Sequence, residues 1–197
     1  MTTKREGYQV QPFPLMRRVV VDSARFSHRK HTIHGLIEVD VTGVRRAIRE
    51  HREQTGETLS FTAYIAACLG RAVEAEKTVH AYRNLWGQLV LFDDVDVTTM
   101  VEIEAESRSF PLAHMLRAAN RRPYRDLHDE IRAVQTRQMG DVSASRRRFL
   151  RLFLLLPAFM RDAFYFFLSR SPHVAKRSIG TVLLSAVGMF GTGGGWG

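Results

Sequence analysis

Cysteine is nearly absent from this chain. Cys68 is the only one among 197 residues, so no internal disulfide staples the fold. It falls in the apolar helical pattern AYIAACLGRAV, where a buried, inert thiol is expected. The start, MTTKREGYQVQPFP, has two basic residues but no apolar run behind them, so no secretory signal is expected and a cytoplasmic location is the default expectation. The sequence also lacks a phosphate-cradling P-loop, a dinucleotide fingerprint, a Gly-x-Ser-x-Gly elbow and any nucleic-acid module, so no nucleic-acid partner is expected. Acidic residues are the minority, 20 against 29 Lys and Arg, and the resulting charge of +9 by itself points to an anionic partner, whether nucleic acid, lipid headgroups or a phosphate-rich cofactor. With 45% hydrophobic residues the composition is that of a globular chain, not a disordered or collagen-like one. Its length suits a single domain spanning 1–197, able to bury roughly 70% of the surface that its unfolded form exposes.

Periodicity divides the chain into alternating helices and strands. Residues 1–14 read as an extended arm, and LMRRVVVDSARFS (15–27) carries apolar groups at helical spacing. HTIHGLIEVDVT alternates and is rich in β-branched residues, which predicts a strand closed by Thr42, a residue able to cap the next element. GVRRAIREHREQTG places Val44 and Ile48 on one face and charges on the other, a surface helix ending at Gly56. Ser60 precedes FTAYIAACLGRAVEAEK, whose small and apolar residues cover nearly the whole circumference and predict a sandwiched helix. A turn at Trp86-Gly87 separates β-rich runs suited to a hairpin, and residues from Pro111 to Gln138 read as helical with an interruption at Pro123. This alternation predicts a layered α/β fold.

The segment 149–168 is the most apolar part, and 146–170 reads as an apolar helical insertion. Its twelve Leu and Phe residues would contribute about −4 to −7 kcal/mol to insertion, while Arg151, Arg161 and Asp162 would cost about +2.5 to +3.5 kcal/mol each. The balance, with Pro157 breaking the run, predicts two short helices rather than a membrane span. Peripheral membrane contact, favoured by Arg146-Arg147-Arg148 just before the segment, and burial within the protein or an oligomer both stay open.

Eight histidines (His28, His31, His34, His51, His80, His114, His128 and His173) invite a metal hypothesis. Three of them share a spacing of three, but on a segment passing from loop to strand this does not gather ring nitrogens, and no metal is expected. At the end of the chain, GTVLLSAVGMFG delivers Ser185 to a strand terminus, where its hydroxyl would face a crevice or simply bond a neighbouring carbonyl.

That last pattern resembles the Gly-Thr-x-x-x-Ser-x-x-Gly-x-x-Gly signature of the catalytic domain of dihydrolipoyl acyltransferases, the cores of 2-oxoacid dehydrogenase complexes. Two further stretches agree in order, LIEVDVT (36–42) with its Asp-x-Thr ending and the helix LSFTAYIAACLGRAVEAEKTVHAY leading into QLVLFDDVDVTTMVEIE. The resemblance runs with gaps from about residue 15 to 191. It implies a chloramphenicol acetyltransferase-like two-layer sandwich of a mixed sheet with helices, assembled as a trimer or higher oligomer with active sites between neighbours. It also implies coenzyme A as acyl carrier, a small-molecule acyl donor and acceptor, and Ser185 as hydrogen-bond donor to the oxyanion of the tetrahedral intermediate.

The sequence departs from that family's pattern at three places. None of its histidines sits in the His-x-x-x-Asp-Gly motif that supplies the general base, and the chain ends at Gly197, which suggests a truncated portion whose last strands are missing. EAESRSFPLAHM stands where the family has a Gly-rich strand entry, and 149–168 replaces a shorter polar helix and loop. No lipoyl domain is expected ahead of the core. The expected activity is acyl transfer between a thioester and a thiol, amine or hydroxyl, with a non-catalytic trimeric scaffold or membrane-associated binding protein of the same fold as the alternative.

Overall fold

The computed structural model describes residues 3–5, 8–11, 13, 15–28, 31–105, 108–136 and 152–186. In chain order its first elements are β1 (Thr3–Arg5), β2 (Tyr8–Val10), α1 (Leu15–Ser27), α2 (Thr42–Thr55), α3 (Phe61–Ala75), β3 (Tyr82–Arg83) and β4 (Leu89–Val90). There follow β5 (Val97–Ala105), β6 (Arg108–Leu116), α4 (Tyr124–Gln135), α5 (Ala158–Arg170), α6 (Pro172–Ile179) and β7 (Val182–Leu184). By internal contacts the chain divides into two compact units, one of Met1–Leu36 with Val142–Leu168 and one of Ile37–Asp141 with Ser169–Gly197.

In the first unit the arm of the sequence reading is a short antiparallel ribbon, Thr3 opposite Val10 and Arg5 opposite Tyr8. Helix α1 has the bounds that its apolar spacing predicts. Its Asp22 is buried and accepts two hydrogen bonds from the Arg161 guanidinium, Nε to Oδ2 at 2.7 Å and Nη2 to Oδ1 at 3.2 Å. Such a bidentate pair satisfies both charges, and removing either partner would strand the other in a low-dielectric site. The apolar run is not one helix: residues 152–155 form a turn of helix, the chain breaks at Pro157, and α5 begins at Ala158. No helix among the described residues is long and apolar enough to cross a membrane.

The second unit is built on a three-stranded mixed sheet of order β6-β5-β7, with β6 antiparallel and β7 parallel to β5. Alternation along β5 turns Val97, Thr99 and Val101 to the interior, where they meet Ala63, Ala66 and Val73 of α3 and Leu127, Ile131 and Val134 of α4. The two helices thus cover one face of the sheet in two layers. Gly70 permits the closest approach: a Cβ there would lie 2.8 Å from the backbone N of Asn120.

Several elements follow their local signals. α2 ends at Gly56 in the left-handed region (φ 76°), whose N–H bonds back to the carbonyl of Arg52 at 2.8 Å, and α2 buries no residue completely, as a surface helix should. β3 and β4 form the hairpin across Gly87, whose φ is 80°. α4 starts directly after Pro123.

Four expectations are overturned. Residues 31–40 are exposed and carry no regular structure, so the strand read from their alternation is absent; no strand of the described residues lies alongside to accept the ladder hydrogen bonds. Residues 111–116 are strand, not helix, because pairing of β6 with the whole of β5 outweighs the local apolar spacing, and Pro111 is tolerated there since β6 is an edge strand. Helix α3 is not buried all round: its buried residues are Ala63, Ala66, Ala67, Gly70 and Val73, which form a single stripe, and Cys68 lies off it and is exposed. Thr42 does not cap α2 but is its first residue: Val41 is the N-cap, with no side-chain cap bond, and Asp40 Oδ1 accepts the Thr42 N–H at 2.8 Å.

Candidate active site

The Gly-Thr pair that opens the C-terminal motif fixes where Ser185 lies. Gly180 has φ 82°, and a Cβ there would sit 2.8 Å from the Thr98 hydroxyl oxygen and 2.9 Å from the carbonyl oxygen of Asp96, so only glycine lets the chain come this close to β5. Thr181 then locks the approach. Its N–H donates to the Asp96 carbonyl at 2.8 Å, and its hydroxyl accepts the Asp96 N–H at 3.1 Å. Asp96 is itself buried, held by Arg117 Nη1 at 2.8 Å and by the Ala118 N–H at 3.0 Å. From this anchor β7 runs parallel to β5, with Leu184 opposite Thr99, and the next residue, Ser185, is exposed where the strand ends. Gly188 and Gly191 of the motif lie outside the described residues.

Ser185 lines a cavity of about 500 Å³ within the second unit. Its apolar wall is supplied by Phe61 and Ile65 of α3, Met100 of β5, Ile131 of α4 and Leu184 of β7. Two guanidinium groups, Arg45 of α2 and Arg132 of α4, are the charged groups of the wall, and no carboxylate, imidazole or thiol joins them among the described residues. Arg45 stacks on the Phe61 ring at 4.3 Å, and Arg132 donates from Nη2 to the Thr58 carbonyl at 2.7 Å. The cavity therefore combines hydrocarbon, positive charge and one strand-end hydroxyl, the composition that suits an amphipathic anion.

Ser60 forms the part of the wall where α3 begins. Its hydroxyl accepts the Ala63 N–H at 3.2 Å and so caps α3. Its own N–H donates to Nδ1 of His128 at 2.9 Å, and its carbonyl accepts from Tyr124 at 3.1 Å. Because Nδ1 of His128 accepts, its proton is on Nε2, which faces Oε1 of Glu57 at 3.4 Å. Burial lowers the pKa of His128, keeping the imidazole neutral, whereas Arg125 at 2.7 Å holds the Glu57 carboxyl down at about 2. Glu57, His128 and Asp129 are also the grouping of the described residues with potential metal-ligand atoms within 4.8 Å of one another. Arg125 pairs with both carboxylates and the His128 nitrogens are committed to Ser60 and Glu57, so this donor set is already satisfied. The arginines of the cavity and the Ser60–His128 link escape a reading of the sequence, since only folding brings their helices together.

No family model and no curated protein matches the sequence. Solved structures do. A probable dihydrolipoamide acetyltransferase from Listeria monocytogenes 4b F2365 superposes with a TM-score of 0.61 over 98% of this chain and 70% of that one, at 14% identity. The fold is that of an acyltransferase core. A truncated catalytic core of the 2-oxoacid dehydrogenase multienzyme complex from Thermoplasma acidophilum gives a TM-score of 0.51 over 63% of this chain and 56% of that one, again at 14% identity. The mixed sheet with helices thus has the chloramphenicol acetyltransferase-like architecture that the C-terminal motif implies.

Proposed function

We propose that this protein is a cytoplasmic acyltransferase that uses coenzyme A, moving an acyl group between a thioester and a thiol, amine or hydroxyl acceptor, as a trimer or higher oligomer. The observation that carries this reading is the Ser185 hydroxyl at the mouth of β7, opening into a cavity on an acyltransferase fold. When the acceptor attacks the thioester carbonyl, its oxygen gains negative charge and the Ser185 hydroxyl donates a hydrogen bond to it. The C–S bond then breaks, coenzyme A leaves as its thiolate, and the acceptor's proton passes to a base. The oxyanion contact is worth about 10²- to 10³-fold in rate. Arg45 and Arg132 favour an anionic ligand, and the Phe61, Ile65 and Met100 wall suits its acyl part. In the acyltransferases that the chain resembles, the base is a histidine presented by the adjacent subunit, and here too it comes from outside the described lining.

The test is release of free thiol from acetyl coenzyme A with dihydrolipoamide or a panel of amines, comparing the protein with Ser185→Ala. The rate falls at least tenfold in the variant; equal rates remove Ser185 from the reaction. The absence of an imidazole or carboxylate from the described lining favours a second reading, a binding protein that keeps the fold without the reaction. Coenzyme A binding with no thiol release over any acceptor distinguishes it.

A further inference from the structure

Helix α5 turns Arg161 inward and leaves its phenylalanines exposed. Arg161 is 8% exposed and bound to buried Asp22, and Tyr165, one turn further on the same side, is half-buried. The rest of its surface presents Phe159, Met160, Phe164, Phe166 and Phe167, with Phe159 at 72% and Phe167 at 65% exposure. Leu152 and Leu155, before Pro157, add two further exposed apolar side chains. Single apolar residues on a surface need no explanation, but a helix face made of them marks a surface that something covers.

Charge says what covers it. The unit of Met1–Leu36 and Val142–Leu168 contains twelve Lys and Arg against three Asp and Glu, whereas the other unit contains seventeen of each. The whole excess of +9 thus belongs to the unit that carries the aromatic face. Of its three acids, Asp22 is buried in the Arg161 pair, while Arg17 and Arg25 of α1 are exposed. A second copy brought to this face would set like charge against like, and an anionic bilayer would complement it. Thirteen residues are too few to cross a membrane, and the buried Arg161–Asp22 pair ties the helix to its own unit.

We infer that α5 docks this protein on an anionic membrane surface, lying in its plane with Phe159, Phe164 and Phe167 in the headgroup and acyl boundary and the arginines of the same unit facing lipid phosphates. Hydrophobic burial and electrostatic attraction act together there, so both are required for stable binding. The inference does not depend on the acyl-transfer reading, since it concerns binding and not turnover.

Flotation of the whole protein with vesicles of phosphatidylcholine containing phosphatidylglycerol, against phosphatidylcholine alone, tests it. The protein floats with the anionic vesicles, at least tenfold less with the neutral ones, and less again in high salt. The triple variant Phe159→Ser, Phe164→Ser, Phe167→Ser keeps its circular dichroism and loses at least tenfold of the vesicle-bound fraction. Equal flotation of variant and parent overturns the inference, as does a parent that ignores the vesicles but self-associates in sedimentation while the variant does not. Should the triple variant fail to fold, Phe167→Trp in the otherwise intact protein reports directly: quenching by brominated lipid beyond that of the parent supports docking, and no added quenching refutes it.

Discussion

Ser60 would be an ordinary helix cap were its backbone not held from the far side by His128. The buried imidazole accepts the Ser60 N–H and so fixes the cavity wall at the start of α3, a task that a protonated ring could not perform. Burial lowers the pKa of both His128 and His80 below the ordinary value of 6.5. The unfolded chain therefore takes up these protons first, and stability, fully present above about pH 6.5, is lost as pH falls from there toward the depressed native values. Glu57 acts in a different window. Its contribution is present above the ordinary carboxylate value of 4.5 and disappears only as pH falls toward about 2. Urea titrations from pH 7.5 to 5.5 should show the midpoint falling with pH, and more shallowly in His128→Gln; the same slope in both proteins would mean that His128 is not held neutral by the fold.

At the scale of elements, the placement of Ser185 is a matter of how tightly β7 can lie on β5. Gly180→Ala puts a methyl group against the Asp96 carbonyl and Thr98 hydroxyl in a backbone conformation that alanine rarely adopts, and should cost about 1 to 3 kcal/mol in chemical denaturation. A loss below about 0.5 kcal/mol would show that the strand end is not so constrained. The same scale explains what the sequence made legible. Signals held within a few residues survived folding: the apolar spacing of α1, Gly56 closing α2, the turn at Gly87 and Pro123 before α4. Those that depend on a distant neighbour did not. The alternation of residues 31–42 found no partner strand among the described residues, Pro111–Leu116 was recruited by β5 despite its helical spacing, and Cys68 lies off the stripe that α3 buries. For the site, the motif located Ser185 at a strand end, while Arg45, Arg132 and His128 come from helices whose approach no local pattern encodes.

For the molecule as a whole, charge and chemistry are divided between two units. One holds the full positive excess and the aromatic face of α5; the other is balanced and holds the cavity on the acyltransferase fold. This division predicts that the Phe159, Phe164 and Phe167 variant that abolishes vesicle binding leaves any thiol release in solution unchanged. The central claim is that the Ser185 hydroxyl meets developing charge on a thioester oxygen. A crystal structure of the protein with a stable thioether analogue of an acyl coenzyme A tests it most directly. The account predicts the analogue's acyl oxygen within about 2.7 to 3.1 Å of Ser185 Oγ, in the cavity walled by Arg45 and Arg132. A coenzyme bound elsewhere, with Ser185 touching none of it, would contradict the account.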